Sequence, residues 1–153
     1  MSASPQVGEP APDFTLEGTE GSFTLSEHRG ENVVLLFYPG DETLVCTRQF
    51  CSYRDRAEDF AALDAAAVGI SGRDVASKQS FTEHHGLTVP LLADSDHKVA
   101  KAYGVYGRLG TKRATFIVDP DGKIAYVNVH ALGLTYESVD DLQAALANLP
   151  ARA

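Results

Sequence analysis

The 153-residue chain predicts an α/β protein, a sheet with helices packed on both faces, and three observations carry that prediction. Short apolar runs alternate with longer stretches of helical period, as layered α/β architectures require. One run, Val33 to Tyr38, is continuously apolar with β-branched and aromatic members, as in a strand covered on both faces. Directly after it the period changes. From Thr43 onward, Cys46, Phe50, Tyr53, Ala57 and Phe60 fall at i, i+4, i+7, i+11 and i+14, a core-facing helical stripe.

The elements follow in order. Pro5, Pro10 and Pro12 make residues 1 to 12 an extended lead-in. Phe14-Thr15-Leu16 and Ser22-Phe23-Thr24-Leu25 alternate apolar and polar around the turn material Glu17 to Gly21, which predicts a hairpin. After the Val33–Tyr38 strand and the cysteine-bearing helix, Ala66 to Ser71 reads as a second buried strand. Asp74 to His84 reads as a helix capped by Asp74 and ended near Gly86, with His84-His85 suiting its C-terminus. Val89 to Ala93 is a short extended piece. Asp94-Ser95-Asp96 offers N-caps for a helix through Tyr103 that Gly104 and Gly107 end. Thr115–Val118 and Lys123–Val127 flank Asp119-Pro120-Asp121-Gly122, a turn sequence that predicts a hairpin, and Ser138 to Leu149 is an amphipathic helix. One domain over residues 1–153 is expected.

Composition narrows the function classes. A net charge of −8, from 21 acidic against 13 basic residues, opposes binding to nucleic acid. Arg48, Arg54 and Arg56 are interleaved with Asp55, Glu58 and Asp59 and read as a solvated helix face. The N-terminus lacks the basic and apolar regions of a signal peptide, and no apolar run approaches the ~18 residues of a membrane span. A reducing cytoplasmic setting is expected, with no membrane partner.

Cys46 and Cys51 are the only cysteines. A cysteine opening a helix just past a buried strand sits where first-turn N–H groups and the helix dipole favour a thiolate. Residues i and i+5 of a helix are about 140° apart around the axis and about 7.5 Å along it, so their Cα atoms are roughly 8.5–9 Å apart. A disulfide needs less than about 7 Å. If the two pair at all, the first turns must unwind. Cys46 lies on the apolar stripe and Cys51 off it, among Thr47, Arg48, Arg54 and Asp55, where a more exposed position is expected. The cysteines alone leave redox chemistry and plain core packing both open. Zinc is disfavoured, since His28, His84, His85, His97 and His130 show no ligand spacing to them.

The wider segment favours redox chemistry. Pro39, Thr43 and Cys46 meet the spacing of the peroxiredoxin active-site motif, Pro, three residues, Thr, two residues, Cys, and the chain resembles that family. The second cysteine five residues on is similar to the bacterioferritin-comigratory or Q-type branch. Val7-Gly8-Glu9-Pro10-Ala11-Pro12-Asp13-Phe14, Gly69-Ile70-Ser71, Tyr103-Gly104-Val105-Tyr106-Gly107 and Arg113-Ala114-Thr115-Phe116-Ile117-Val118-Asp119 extend the likeness over most of the chain. Four positions depart from the family pattern: Leu44 and Val45 where small or Pro-Gly residues are usual, Gln49 where Glu is frequent, and Tyr106 where Trp is common.

The resemblance implies a thioredoxin-like fold with an N-terminal β-hairpin extension and a thiol-dependent peroxidase activity on hydrogen peroxide or organic hydroperoxides. Cys46 would be the peroxidatic nucleophile and Cys51 the resolving cysteine, closing an intrachain disulfide that thioredoxin or a similar dithiol protein reopens. Arg113, with Lys112 as the alternative, would hold the thiolate and polarise the peroxide; an ion pair at the surface is the competing role for Arg113. Thr43 would hydrogen-bond the peroxide, or serve as an N-cap. Pro39 would shape and shield the pocket. No metal, haem or flavin cofactor is implied, and an intrachain disulfide needs no dimer, so a monomer suffices. A redox sensor using the same switch is the rival reading. A disulfide oxidoreductase fits less well, because the five-residue spacing replaces CxxC.

Overall fold

The computed structural model describes residues 4–41, 43–108, 110–130 and 136–149. Its centre is the run Val33 to Tyr38, which supplies strand β3 (Asn32–Phe37) of a seven-stranded sheet once the N-terminal hairpin β1 (Thr15–Gly18) and β2 (Gly21–Thr24) is counted. After β3 come helices α1 (Leu44–Asp55) and α2 (Ala57–Ala61), strand β4 (Ala65–Ser71), helix α3 (Val75–His85), strand β5 (Leu91–Ala93) and helix α4 (Lys98–Ala102). A small hairpin β6 (Tyr106–Gly107) and β7 (Gly110–Thr111), the long hairpin β8 (Arg113–Val118) and β9 (Ile124–His130), and helix α5 (Val139–Ala147) complete the chain.

The strand order is β2-β1-β5-β4-β3-β8-β9, with β3 parallel to β4 and antiparallel to β8, a mixed sheet flanked by helices. Because side chains alternate along a strand, Val33, Leu35 and Phe37 enter one apolar cluster with Val99, Tyr103 and the N-terminal Ala11 and Phe14. Val34, Leu36 and Tyr38 enter the other, with Phe50, Phe81 and Leu142 of α1, α3 and α5. Burial of both faces is what the continuous apolar run demands. At Gly69 of β4 a Cβ would stand 2.9 Å from the Phe50 ring, so glycine there lets α1 seat closely on the sheet.

Register positions the chemistry. Phe37 pairs with Ala114 across the antiparallel β3–β8 ladder. Arg113, one residue earlier on β8, therefore emerges beside the point where β3 ends and the chain turns into α1. The long hairpin turns at Asp119 to Gly122 as expected, with Gly122 at φ 87° and the Asp119 carboxylate accepting from the N–H groups of Asp121 and Lys123.

Three expectations are corrected. The stripe from Cys46 to Phe60 is two helices, because the backbone leaves helical geometry at Arg56 (φ −116°, ψ 41°), whose side chain pairs with Asp59 and with Asp140 of α5. Helix α4 is shorter than 94–103 and its N-cap position is His97, in the left-handed region at φ 59°. Asp94 still serves it from further back, its carboxylate accepting from the N–H groups of Val99 and Ala100. Gly107 belongs to the β6–β7 hairpin and does not end a helix. Among the described residues, no helix is long and apolar enough to cross a membrane.

Candidate active site

The site forms where β3 exits into α1. Thr43 is the N-cap residue of α1, with extended backbone (φ −78°, ψ 154°), yet among the described residues its side chain makes no capping bond. Its hydroxyl instead donates to the Gly40 carbonyl at 2.9 Å. Backbone bonding of the helix begins with the Thr47 N–H to the Thr43 carbonyl, 2.8 Å, so by helix geometry the N–H groups of Val45 and Cys46 fall in the first turn, where they have no intrahelical acceptor. Thr43 thus occupies the cap position with its backbone, while its hydroxyl bonds the Gly40 carbonyl.

Cys46, at the third helical position, is fully buried, and Arg113 is 3% exposed. Arg113 Nη2 donates to Cys46 Sγ at 2.9 Å, while Nη1 donates to Gln49 Oε1. A surface ion pair, the competing role, does not suit a guanidinium buried this deeply. Gln49 lies one turn beyond Cys46 on the same face. Its Nε2 donates to the Tyr53 hydroxyl at 3.0 Å, and that hydroxyl donates to the Glu137 carbonyl at 2.6 Å. Burial pushes the Tyr53 phenol well above its ordinary range, with Gln49 opposing. Sulfur, guanidinium, amide, phenol and backbone carbonyl form one hydrogen-bonded line from the helix start to the approach to α5.

Lys112, the alternative to Arg113, is exposed, and Pro39 is exposed beside the buried Gly40 and Asp41. Cys51 is a free thiol like Cys46 and is half-buried, packed against the apolar cluster under α1 and α5. It is less exposed than its polar sequence neighbours predict, because α5 packs on the same side of the sheet as α1. The structure therefore gathers Cys46, Arg113 and Thr43 at the helix start and leaves Cys51 further along the same helix. Sequence reasoning did not single out Tyr53 or Glu137 as parts of the site; the i+4 step from Gln49 to Tyr53 was the available sign of the former. Among the described residues no three His, Cys, Asp or Glu side chains gather as a metal site.

A buried cysteine at a helix start, with a guanidinium against its sulfur at the exit of a central strand, defines a thiol enzyme of thioredoxin-like fold. The AhpC/TSA family model matches residues 7–127, and the chain belongs to that family. It is 38% identical over 128 residues to peroxiredoxin Bcp of Bacillus subtilis, a match covering 78% of this chain and 82% of that protein. To the chloroplastic peroxiredoxin Q of japonica rice it is 42% identical over 124 residues, covering 78% of this chain and 57% of the rice protein. The crystal structure of peroxidoxin BcpB from Mycobacterium tuberculosis superposes with a TM-score of 0.83 at 34% identity, covering 96% of this chain and 99% of that one. The chain is accordingly a thiol-dependent peroxidase of the peroxiredoxin family.

Proposed function

We propose that Cys46 is the sulfur that attacks peroxide, that Arg113 and Thr43 hold the peroxide against it, and that Cys51 resolves the product in an intrachain disulfide. The contact between Arg113 Nη2 and Cys46 Sγ, 2.9 Å apart, is the observation that carries this reading. A negative sulfur there has a permanent cation beside it and a helix N-terminus beneath it.

The Cys46 thiolate attacks the terminal oxygen of the hydroperoxide; the S–O bond forms, the O–O bond breaks, and the alkoxide or hydroxide leaves and takes a proton. Arg113 and the first-turn N–H groups of Val45 and Cys46 offer donors to the oxygens as that charge develops, and the Thr43 hydroxyl, its proton given to Gly40, accepts from the peroxide O–H. Cys46 is left as a sulfenic acid. The Cys51 thiol displaces its hydroxyl as water, and the S–S bond forms. A dithiol reductant of the thioredoxin type then exchanges its own thiols for that disulfide. Both cysteines belong to α1, so the helical geometry that separates them by roughly 8.5–9 Å must open between the two steps. Pro39, with no N–H of its own, borders the pocket without offering it a competing donor. The reaction fits a reducing cytoplasm and a chain acting as a monomer.

Steady-state peroxide consumption coupled to a thioredoxin system tests this on the parent protein, Cys46→Ser and Cys51→Ser. Cys46→Ser is expected to be inactive, and Cys51→Ser to undergo one fast oxidation to a trappable sulfenate without sustained turnover. Equal turnover in the parent and Cys46→Ser would overturn the assignment. Oxidation of the parent without turnover would make the protein a redox sensor instead.

A further inference from the structure

Behind the loop that joins β3 to α1 lies a second buried polar cluster, which none of the steps above uses. Lys78, on the first turns of α3, is fully buried. Its Nζ donates to Asp41 Oδ1 at 3.3 Å, to the Tyr38 hydroxyl at 3.1 Å, and to Ser71 Oγ. Those three acceptors match the three donors of an ammonium. Asp41, whose side chain is 2% exposed, accepts in turn from the Tyr38 hydroxyl at 2.6 Å and the Ser77 hydroxyl at 2.7 Å. Tyr38 just after β3 and Ser77 and Lys78 at the start of α3 converge on this one carboxylate, and Ser71 at the end of β4 joins them through the Lys78 ammonium.

Such a cluster is a poor way to gain stability. Desolvating both charges costs about as much as their attraction returns, and apolar side chains of similar volume often serve as well. Burial indeed holds the Lys78 ammonium below its ordinary range, with Asp41 pulling the other way. What a saturated ion pair does well is hold one geometry. The geometry held here is that of Gly40, the neighbour of Asp41, whose carbonyl receives the Thr43 hydroxyl at 2.9 Å. A hydroxyl that spends its proton on Gly40 turns its lone pairs in a direction set by that carbonyl.

We propose that Lys78 is a positioning residue for the peroxide reaction: through Asp41 it fixes the Gly40 carbonyl, and through that carbonyl it orients the Thr43 hydroxyl toward the peroxide. The inference rests on the reading above that Cys46 reacts with peroxide held by Thr43. It separates two properties of the site. Attack on peroxide needs Thr43 in place, whereas attack on an alkylating agent needs only the Cys46 sulfur.

The test compares two reactions of Cys46 in a Cys51→Ser background, where it is the sole thiol: oxidation by hydrogen peroxide and alkylation by iodoacetamide, each timed by rapid mixing. Lys78→Met is expected to slow oxidation about tenfold, as small misplacements of reacting groups do, and to leave alkylation within about twofold. A loss of oxidation rate below about fivefold, or a parallel fall in both rates, overturns the proposal. Should Lys78→Met not fold, the Asp41→Asn/Lys78→Met pair, which leaves no lone buried charge, is read by the same ratio. A background protein that hydrogen peroxide does not oxidise would instead reject the assignment of Cys46 itself.

Discussion

Helices α1 and α5 start in opposite ways. At α5 the Ser138 hydroxyl accepts from the Asp141 N–H and the Asp141 carboxylate accepts from the Ser138 N–H, both at 3.0 Å, and Asp140 and Asp141 place negative charge in the first turn. At α1 the cap residue Thr43 turns its hydroxyl away, and the first turn carries no acidic residue. One terminus has its orphan donors and its dipole answered by the protein; the other leaves both for the sulfur and whatever approaches it. The start of α1 has fewer local stabilising contacts than the start of α5, as the proposed development of charge and opening of the helix require.

Alkaline pH should have the largest effect, since the phenols Tyr38 and Tyr53 are buried in the apolar cluster under α1. Burial raises Tyr38 and Tyr53 well above the ordinary tyrosine value of 10.0, with Asp41 adding to the effect at Tyr38. A raised folded-state value means that their contribution is complete below pH 10.0 and is lost as pH climbs above it, when the unfolded chain ionises and the folded one does not. Lys78, depressed by burial, works in the opposite sense up to 10.5, so the decline belongs to the tyrosines. Stability is expected to fall above pH 10.0, with tyrosinate absorbance from these buried rings growing only as helical circular dichroism is lost. Full tyrosinate absorbance in a protein with intact helices would contradict this.

Next in size is the effect of Thr43→Val on chemistry. Its sulfenate formation rate should drop about 100-fold, because the peroxide O–H loses the acceptor that positions it, while its melting behaviour shifts by no more than about 0.5 kcal/mol. Ser138→Ala should do the reverse, costing about 1 kcal/mol in denaturant titrations with peroxidase activity unchanged. If the two variants lose the same stability, the two caps are alike and the contrast fails. The smallest effect is expected from Leu44→Glu. Leu44 is 74% exposed, so the substitution adds first-turn charge without disturbing the core. Stabilising α1 by about 0.3–1 kcal/mol should slow formation of the Cys46–Cys51 disulfide about two- to fivefold after one equivalent of peroxide. An unchanged or faster disulfide step would separate helix opening from resolution.

Most of this architecture was legible in the residues because the signals were local. The apolar run at Val33 to Tyr38, the Asp74 and Gly86 caps of α3 and the Asp119–Gly122 turn each announce themselves within a few positions, and each is realised. The break at Arg56 was not legible, since Asp55-Arg56-Ala57 contains no glycine or proline and the ion pair to Asp140 joins residues 84 apart in sequence. Within the site, the spacing of Pro39, Thr43 and Cys46 pointed to one loop and one helix, and the structure brings Arg113 to the sulfur through strand register. The partnership of Asp41 with Lys78 stayed hidden, because a lysine in a helix reads as solvent-facing until the fold places two hydroxyls and a carboxylate around it.

The Arg56 carbonyl starts α2 by accepting from the Phe60 N–H at 2.8 Å, and its guanidinium is tied to Asp59 and Asp140, so the chain beyond it is anchored to α5 as well as to α1. Arg56 is the far edge of the opening proposed for the 12-residue α1. Amide exchange in the oxidised protein should accelerate up to Arg56 and stop, so that the state of two sulfur atoms is recorded as a stretch of deuterated chain of defined length.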